Sequence, residues 1–429
     1  MRWSVSWVVW ALLMAMLCSG EPAAAAPSDP VRARAEDLVR LINGEAAPES
    51  LFTETLLREI PAAQMRALAA RIAGAGGRAR GVAALEGTGG NAVVELDLER
   101  GTLRARLVVE AEPPHRIAGL LFDPVKPRAD SMAAVLADME ALPGSVSFEV
   151  AKLGEGAPER LFAHQPDRPL AIGSAFKLFV LAETSRQVQS GTRRWSDVVT
   201  LDRQSLPSGL LQDWPRAAPL TLHSLAALMI SVSDNSAADT LIHRLGRERI
   251  EALLPVLGVA AAERNRPFLS THEAFALKFG ADRALLAAYR SGDQGSRRAL
   301  LPRLSAVPPS SLDPASGGGV PAAIDEAEWF ASARDLVRTM DWLRRHGGDD
   351  ALRILAIAPG TDSTTAQRFA YLGYKGGSEA GVLNMTYLAR RTDGAWIAAS
   401  ASWNNPTAPV QTERLATLMM RTLNLAAAD

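Results

Sequence analysis

Three short polar clusters carry residue types that can activate a nucleophile. The first is Ser174-Ala175-Phe176-Lys177, which continues into an apolar segment. A helix that begins here would place Ser174 and Lys177, three residues apart, on one face. A serine hydroxyl becomes a good nucleophile when a base takes its proton, and burial lowers the pKa of a lysine enough for that task. Alone, the motif is weak, and an N-cap serine followed by a surface lysine is the better interpretation.

The second cluster, Ser233-Asp234-Asn235, follows another apolar segment. Ser233 could pass a proton to a leaving group, and Asn235 could hold both a lysine and a substrate carbonyl. The alternative is an N-cap cluster for the next helix, because Ser, Asp and Asn are the preferred capping residues.

The third cluster is Lys375-Gly376-Gly377-Ser378, which we place at the end of a predicted strand. Glycines let another backbone approach a strand edge closely. A backbone N–H beyond the lysine could stabilise the oxyanion of an acyl-transfer reaction. The alternative is a glycine turn between two strands.

In chain order the clusters read S-x-x-K, Ser-Asp-Asn and Lys-Gly-Gly, which is the order found in class A β-lactamases and penicillin-binding proteins. Residues 131–429 therefore resemble the serine β-lactamase/penicillin-binding-protein superfamily. Together with the N-terminal segment described below, the layout is most similar to class-A-like proteins related to an accessory protein of clavulanic acid biosynthesis.

The resemblance implies a role for each residue of the three clusters. Ser174 would be the acylated nucleophile and Lys177 its base, while Ser233 would protonate the leaving group. Lys375 would act on Ser233 and on a substrate carboxylate. The remaining implied substrate-binding residues are Asn235, Gly376, Gly377 and Ser378, and the N–H groups of Ser174 and Ser378 would form the oxyanion hole.

The sequence also departs from the class A pattern. Gly376 stands where the family usually has Thr or Ser, so one hydroxyl contact is missing. No glutamate between residues 245 and 268 begins the E-x-x-L-N motif that activates the deacylating water, and Asp239 replaces the usual asparagine that braces this loop. His272 or Glu273 could substitute for the glutamate, although both also fit a helix-start capping role.

The elements that must position these clusters follow from hydrophobic periodicity. Two early strands, a helical middle, and three late strands with a closing helix predict one antiparallel sheet flanked by helices plus a helical subdomain. The expected fold class is therefore α+β with a class A β-lactamase-like domain over residues 131–429. The predicted elements are helices Met132–Leu142 and Gln411–Asn424 and strands Val146–Val150, Arg160–Ala163, Ala370–Tyr374, Val382–Ala389 and Trp396–Ser402.

A smaller α+β domain is predicted over residues 27–122. Apolar spacing indicates helices at Val31–Ile42 and Met65–Ile72, and alternation indicates a hairpin of strands Asn91–Leu98 and Leu103–Val109. Helices followed by an antiparallel sheet resemble the cone-like fold of the NTF2/steroid-isomerase type. The proline-bearing stretch 123–130 is interpreted as a linker.

Residues 1–26 have the layout of a secretory signal peptide. Arg2 supplies a positive start, Trp3 to Leu17 form an uncharged apolar run, and an alanine-rich stretch precedes Pro27. The run is shorter than the ~20 residues of a membrane-spanning helix. We expect an exported protein, periplasmic or secreted, with no stable membrane anchor after cleavage.

Composition excludes several classes of function. The chain has 429 residues, 46 Lys+Arg against 47 Asp+Glu and a net charge of −1. This balance disfavours nucleic-acid binding, which needs a basic face. One cysteine and six histidines, without an H-x-x-x-H pair, predict neither a metal site nor a cofactor.

The sequence favours a serine hydrolase acylated at Ser174 by a β-lactam, ester or amide, with weak or altered deacylation. The alternative is a non-catalytic or single-turnover protein that binds penicillin or senses peptidoglycan. An α/β-hydrolase is disfavoured because the G-x-S-x-G elbow is absent. In the favoured reading the partner is a small acyl substrate.

Overall fold

The computed structural model describes residues 28–128, 130–206, 208–312 and 319–427. The predicted signal peptide, residues 1–26, lies outside them. The chain divides into two compact units, residues 1–129 and residues 130–429. In the described ranges, no helix combines the length and the apolar character that crossing a membrane requires.

Over residues 28–128, the first unit consists of four helices followed by an antiparallel sheet. Its helices are α1 (Asp29–Ile42), α2 (Pro48–Leu51), α3 (Glu54–Glu59) and α4 (Ala62–Gly76). Its strands are β1 (Ala79–Thr88), β2 (Asn91–Leu98), β3 (Gly101–Val109), β4 (Ile117–Phe122) and β5 (Lys126–Pro127). The sheet order is β1-β2-β3-β4, and β5 pairs with β3.

The predicted β2–β3 hairpin is present, and its alternation explains the packing. Residues of β2 alternate between buried and more exposed positions, so one face of the sheet contributes to an apolar core with α1 and α4. The linker interpretation of 123–130 is wrong at β5. Lys126 and Pro127 continue the sheet beside Gly101 and Thr102, because an edge of β3 is free to pair there.

The second unit is built around a five-stranded antiparallel sheet. Its strands are β6 (Ser145–Leu153), β7 (Glu159–His164), β8 (Leu170–Ala171), β9 (Val198–Thr200), β10 (Pro219–Thr221), β11 (Phe330–Ala331), β12 (Phe369–Glu379), β13 (Val382–Arg391) and β14 (Trp396–Asn404). The main sheet has the order β12-β13-β14-β6-β7, so β12 is an edge strand. The short strands form two small pairs, β8 with β11 and β9 with β10.

Helices cover both faces of this sheet. They are α5 (Met132–Glu140), α6 (Lys177–Gln189), α7 (Leu222–Ser231), α8 (Asn235–Leu245), α9 (Arg247–Leu253), α10 (Thr271–Phe279), α11 (Arg283–Ser291), α12 (Gln294–Ser305), α13 (Ala333–His346), α14 (Gly348–Leu355), α15 (Ser363–Ala366) and α16 (Thr412–Ala426). Helices α5 and α16 share a core with one face, and α6 and α13 pack in a second core that includes the helical middle. The predicted α+β fold with a flanked antiparallel sheet is confirmed.

Candidate active site

Ser174 lies on a single turn of 3-10 helix, Gly173–Phe176, that leads directly into α6. The sequence predicts a helix start at this point, and the tighter turn is its observed form. Gly173 has φ +48°, a left-handed conformation that glycine adopts without steric cost. Ser174 is half-buried, whereas Lys177, at the first position of α6, has no exposed surface. The Lys177 Nζ atom lies 3.2 Å from Ser174 Oγ.

The Lys177 amine is surrounded by acceptors from the second cluster. Its Nζ lies 2.6 Å from the Ser233 carbonyl oxygen, 3.1 Å from Ser233 Oγ and 2.7 Å from Asn235 Oδ1. Burial, and then the charge of Lys375, hold the pKa of Lys177 well below its ordinary value, while Asp239 and Asp234 act in the opposite direction. A neutral amine is therefore favoured at this position.

The second cluster forms the connection between α7 and α8. Ser233 has φ +57°, a strained conformation for a residue with a side chain. Asp234 holds the turn in place, since its carboxylate accepts the N–H groups of Ala237, Leu210 and Leu211. The capping interpretation therefore applies to Asp234, and the two flanking residues remain free to face Lys177.

Lys375 lies inside β12, which extends beyond the predicted strand end at Tyr374, so the third cluster is itself the last part of the strand. The strand continues through both glycines to Glu379 and pairs with β13 along this whole stretch. Lys375 Nζ lies 3.1 Å from Ser233 Oγ and 2.5 Å from the Gly376 carbonyl oxygen. Burial lowers the pKa of Lys375 to about 7.

The two glycines allow β12 to approach its surroundings closely. A Cβ atom on Gly377 would lie 2.5 Å from the Ser174 amide nitrogen and 2.1 Å from the Ile172 carbonyl oxygen. A Cβ atom on Gly376 would lie 2.0 Å from the Tyr374 hydroxyl. Tyr374 therefore occupies the space that the side chain of the usual Thr or Ser would need at position 376.

Ser378 is exposed, and its amide nitrogen lies close to the nucleophile segment. A Cβ atom on Gly173 would lie 3.1 Å from that nitrogen. The residues predicted from the three clusters thus come together around Ser174 and Ser233. A hydrogen-bonded series links the nucleophile candidate to both lysines through direct contacts.

Glu273, one of the two residues considered as a substitute for the missing glutamate, and Asp239, which replaces the bracing asparagine, both have other partners. Glu273 closes a capping box on α10 and forms a two-point ion pair with Arg247. Asp239 accepts the N–H groups of Thr271 and His272 and the hydroxyl of Ser205. Asp239 therefore braces the start of α10, and His272 and Glu273 line a neighbouring cavity of about 590 Å³.

Two features beside the site were not predicted from the sequence. The ring of Trp329 stacks on that of Phe176 at 3.8 Å, which fixes the turn that carries Ser174. Lys278, fully buried in α10, bridges Glu328 and Glu379. The available signals were a lysine within the apolar stretch of α10 and a glutamate at the end of a glycine-rich strand. The sequence could not pair them, because their contact joins distant parts of the chain.

A serine, two buried amines and a second serine in direct contact can transfer a proton from one hydroxyl to a leaving group and stabilise an acyl-enzyme. Among the residues that the structure describes, no three His, Cys, Asp or Glu side chains gather as a metal site requires.

Solved structures similar to this chain include two β-lactamases and a penicillin-binding protein. A β-lactamase from Sphaerobacter thermophilus is 22% identical, with a TM-score of 0.47 and coverage of 69% of this chain and 96% of that one. A β-lactamase from Chitinophaga pinensis is 15% identical, with a TM-score of 0.46 and coverage of 69% of this chain and 98% of that one. A mutant of PBP-A, in an acyl-enzyme complex with penicillin G, is 15% identical, with a TM-score of 0.46 and coverage of 69% of this chain and 95% of that one.

No curated protein matches the chain. The model of the β-lactamase enzyme family, Beta-lactamase2, matches residues 127–347. This match spans more than half of the sequence and includes the first two polar clusters. The chain therefore belongs to the β-lactamase enzyme family.

Proposed function

We propose that the chain is an exported serine hydrolase of β-lactamase type. Ser174 is acylated by a β-lactam, ester or amide, and the acyl-enzyme breaks down slowly. The observation that carries this proposal is the unbroken series of contacts from Ser174 through Lys177 and Ser233 to Lys375, each 3.1 or 3.2 Å long. Proton transfer requires contacts of this kind.

The hydrogen bonds of Lys177 support its role as the base. A neutral amine has two N–H groups and one lone pair. Two of its neighbours, the Ser233 carbonyl oxygen and Asn235 Oδ1, can only accept hydrogen bonds, and they lie at the shortest distances. They occupy both N–H groups, so the lone pair is directed to the hydroxyl side, where it can take the proton of Ser174.

Ser233 and Lys375 complete the proposed proton path. The proton that Lys177 takes from Ser174 moves to Ser233 Oγ and then to the leaving nitrogen or oxygen. A charged Lys375 makes Ser233 a better proton donor and attracts a substrate carboxylate. The oxyanion hole is assigned to the N–H groups of Ser174 and Ser378. Gly376 and Gly377 contact the substrate along β12, and Asn235 contacts it from the start of α8.

Slow deacylation is proposed because the nearby carboxylates are engaged elsewhere. Glu273 accepts hydrogen bonds from Arg247, the Ser270 amide and Ser305. Glu251 binds Arg298 and the Phe268 amide. Hydrogen-bond donors stabilise the ionised carboxylate, so a carboxylate that accepts several of them is a weak base for deprotonating a water molecule. This observation also favours the second candidate, a penicillin-binding protein that turns over once.

The setting of the enzyme is proposed from the sequence. Residues 1–26 direct export, so the mature protein is periplasmic or secreted. The first unit is assigned an NTF2/steroid-isomerase-like fold, and the layout is related to the accessory protein of clavulanic acid biosynthesis.

The proposal is tested by intact-protein mass spectrometry with benzylpenicillin and nitrocefin. We expect a covalent mass increase on Ser174, which Ser174→Ala abolishes and Lys177→Met slows by roughly a thousandfold. Ser291→Ala, an exposed serine on α11, is the matched control and should label like the natural chain.

Product release distinguishes the two candidates. Continued hydrolysis of nitrocefin beyond one equivalent supports the hydrolase. A burst of one equivalent with a persistent adduct supports the single-turnover protein, and absence of any adduct overturns both.

A further inference from the structure

A charged cluster lies at the end of the strand that borders the candidate site. Lys278 is fully buried and contacts the carboxylates of Glu328 and Glu379, the latter at 2.6 Å. Glu328 is also buried, whereas the side chain of Glu379 keeps one fifth of its surface exposed. Two carboxylates thus share one ammonium group, and the carboxylate that solvent can reach is that of Glu379.

The strand places Glu379 on the same face as the catalytic groups. Side chains alternate along a strand, so residues 375, 377 and 379 share one face of β12. Lys375 on this face contacts Ser233, and a Cβ atom on Gly377 would contact the Ser174 amide. The pairing of β12 with β13 is regular from Tyr371 to Glu379, so no bulge redirects the last side chain.

The order of groups along β12 sets the direction in which a substrate lies. In the proposed function, Lys375 holds the carboxylate of the leaving-group side and the Ser378 amide holds the reacting carbonyl. A substrate that passes these two points in sequence has its acyl substituent directed toward Glu379. The Cα atoms of neighbouring residues are about 3.8 Å apart, so Glu379 is within one residue of the carbonyl position.

Among the described residues, both carboxylates of the cluster form their salt bridges only with Lys278. Burial and the charge of Glu328 raise the pKa of Glu379 to about 8, and Lys278 only partly opposes them. In Lys278 itself burial acts to lower the pKa, but the two carboxylates outweigh it and raise the pKa. With this pKa, Glu379 is mostly protonated at pH 7 in the free chain, and an additional cation next to it would favour its ionised form.

We propose that Glu379, supported by Lys278 and Glu328, selects acyl donors whose acyl substituent carries an ammonium group. This inference rests on the proposed function and adds the substrate class. An α-aminoacyl side chain fits, because its ammonium lies roughly 6 Å from the reacting carbonyl carbon, a distance that a side chain one residue further along the strand can meet.

The test compares two penicillins that differ by one ammonium group, ampicillin and benzylpenicillin. The full chain is mixed with each, and the second-order rate of acylation is measured from intact mass at pH 7. We expect the natural chain to prefer ampicillin and Glu379→Gln to lower the ampicillin-to-benzylpenicillin ratio about tenfold. Glu326→Gln is the matched control, because Glu326 is a neighbouring carboxylate that pairs with Arg290 outside the cluster.

An unchanged ampicillin-to-benzylpenicillin ratio in Glu379→Gln overturns the inference. Labelling by both penicillins leaves the proposed function intact in that case. No labelling by either penicillin overturns both. N-acetylampicillin provides a measurement on the natural chain that does not depend on the folding of the variant. Loss of the preference on acetylation supports the inference, and equal rates for ampicillin and its acetyl derivative overturn it.

Discussion

Two lysine side chains contact one serine hydroxyl at the centre of the candidate site. The Nζ atoms of Lys177 and Lys375 each lie 3.1 Å from Ser233 Oγ, and both lysines are buried. Two charged ammonium groups so close would repel each other, and burial penalises both charges. The pKa of each amine is accordingly lowered, which favours the neutral form that Lys177 needs in order to act as a base.

The charge of Lys375 should govern the pH dependence of acylation by substrates that carry a carboxylate. Burial lowers the pKa of Lys375 to about 7, so the amine is charged below this pH and neutral above it. We expect the second-order acylation rate with benzylpenicillin to fall as the pH rises through 7 to 8. Its methyl ester lacks the carboxylate and should show a smaller fall, because only the effect of Lys375 on Ser233 remains. The measurement is the acylation rate between pH 5 and 9 for both compounds.

Burial lowers the pKa of Lys177, and its protonation as the pH falls should lower both rates together, which provides an internal control. If the acylation rates with benzylpenicillin and with its methyl ester fell equally above pH 7, Lys375 would not be the residue that binds the substrate carboxylate.

The site depends on how closely β12 approaches the turn that carries Ser174. The sequence motifs predicted which residues meet, because their order is shared with the family, and apolar alternation predicted the main strands. The extent of β12 was predicted wrongly. Glycine pairs ordinarily indicate a turn, and only the contact of Gly377 with residues 172–175 explains why they belong to a strand.

Other features depended on contacts that periodicity does not encode. The bridge from Lys278 to Glu328 and Glu379 joins segments 50 and 101 residues away along the chain. The pairing of β5 with β3 uses a proline-bearing stretch whose composition is typical of a linker. Hydrophobic periodicity thus predicted which helices and strands form, whereas contacts between distant segments determined where the strands end and which strands pair.

Gly377→Ala should impair the site far more than the fold. The added methyl group would lie 2.5 Å from the Ser174 amide nitrogen, so β12 must move away from the nucleophile. We expect acylation to fall at least about 100-fold, because a displacement near 1 Å has this effect on catalysis. The free energy of unfolding should decrease by about 1–3 kcal/mol. Acylation rates and urea unfolding measure the two effects.

Gly154→Ala is the control for this substitution. A Cβ atom on Gly154, between β6 and β7, meets no heavy atom within 4 Å. Both the rate and the stability of this variant should stay close to those of the natural chain. A Gly377→Ala protein with full acylation activity would show that the glycine is not needed for the approach.

At the scale of the whole chain, each unit has a hydrophobic core of its own. The core of the first unit draws on residues 31–125, and the cores of the second unit draw only on residues from 132 onward. Every residue of the three polar clusters belongs to the second unit. A unit of this size buries enough apolar surface to fold by itself.

A fragment of residues 130–429 should therefore fold and retain acylation at Ser174. We expect one cooperative thermal transition by circular dichroism and a benzylpenicillin acylation rate within about twofold of the full chain. The same fragment with Ser174→Ala is the control and should fold without being labelled. A soluble, folded fragment that is not acylated, beside a full chain that is, would mean that the first unit takes part in the reaction. An insoluble fragment would mean that the core of the second unit does not suffice for folding.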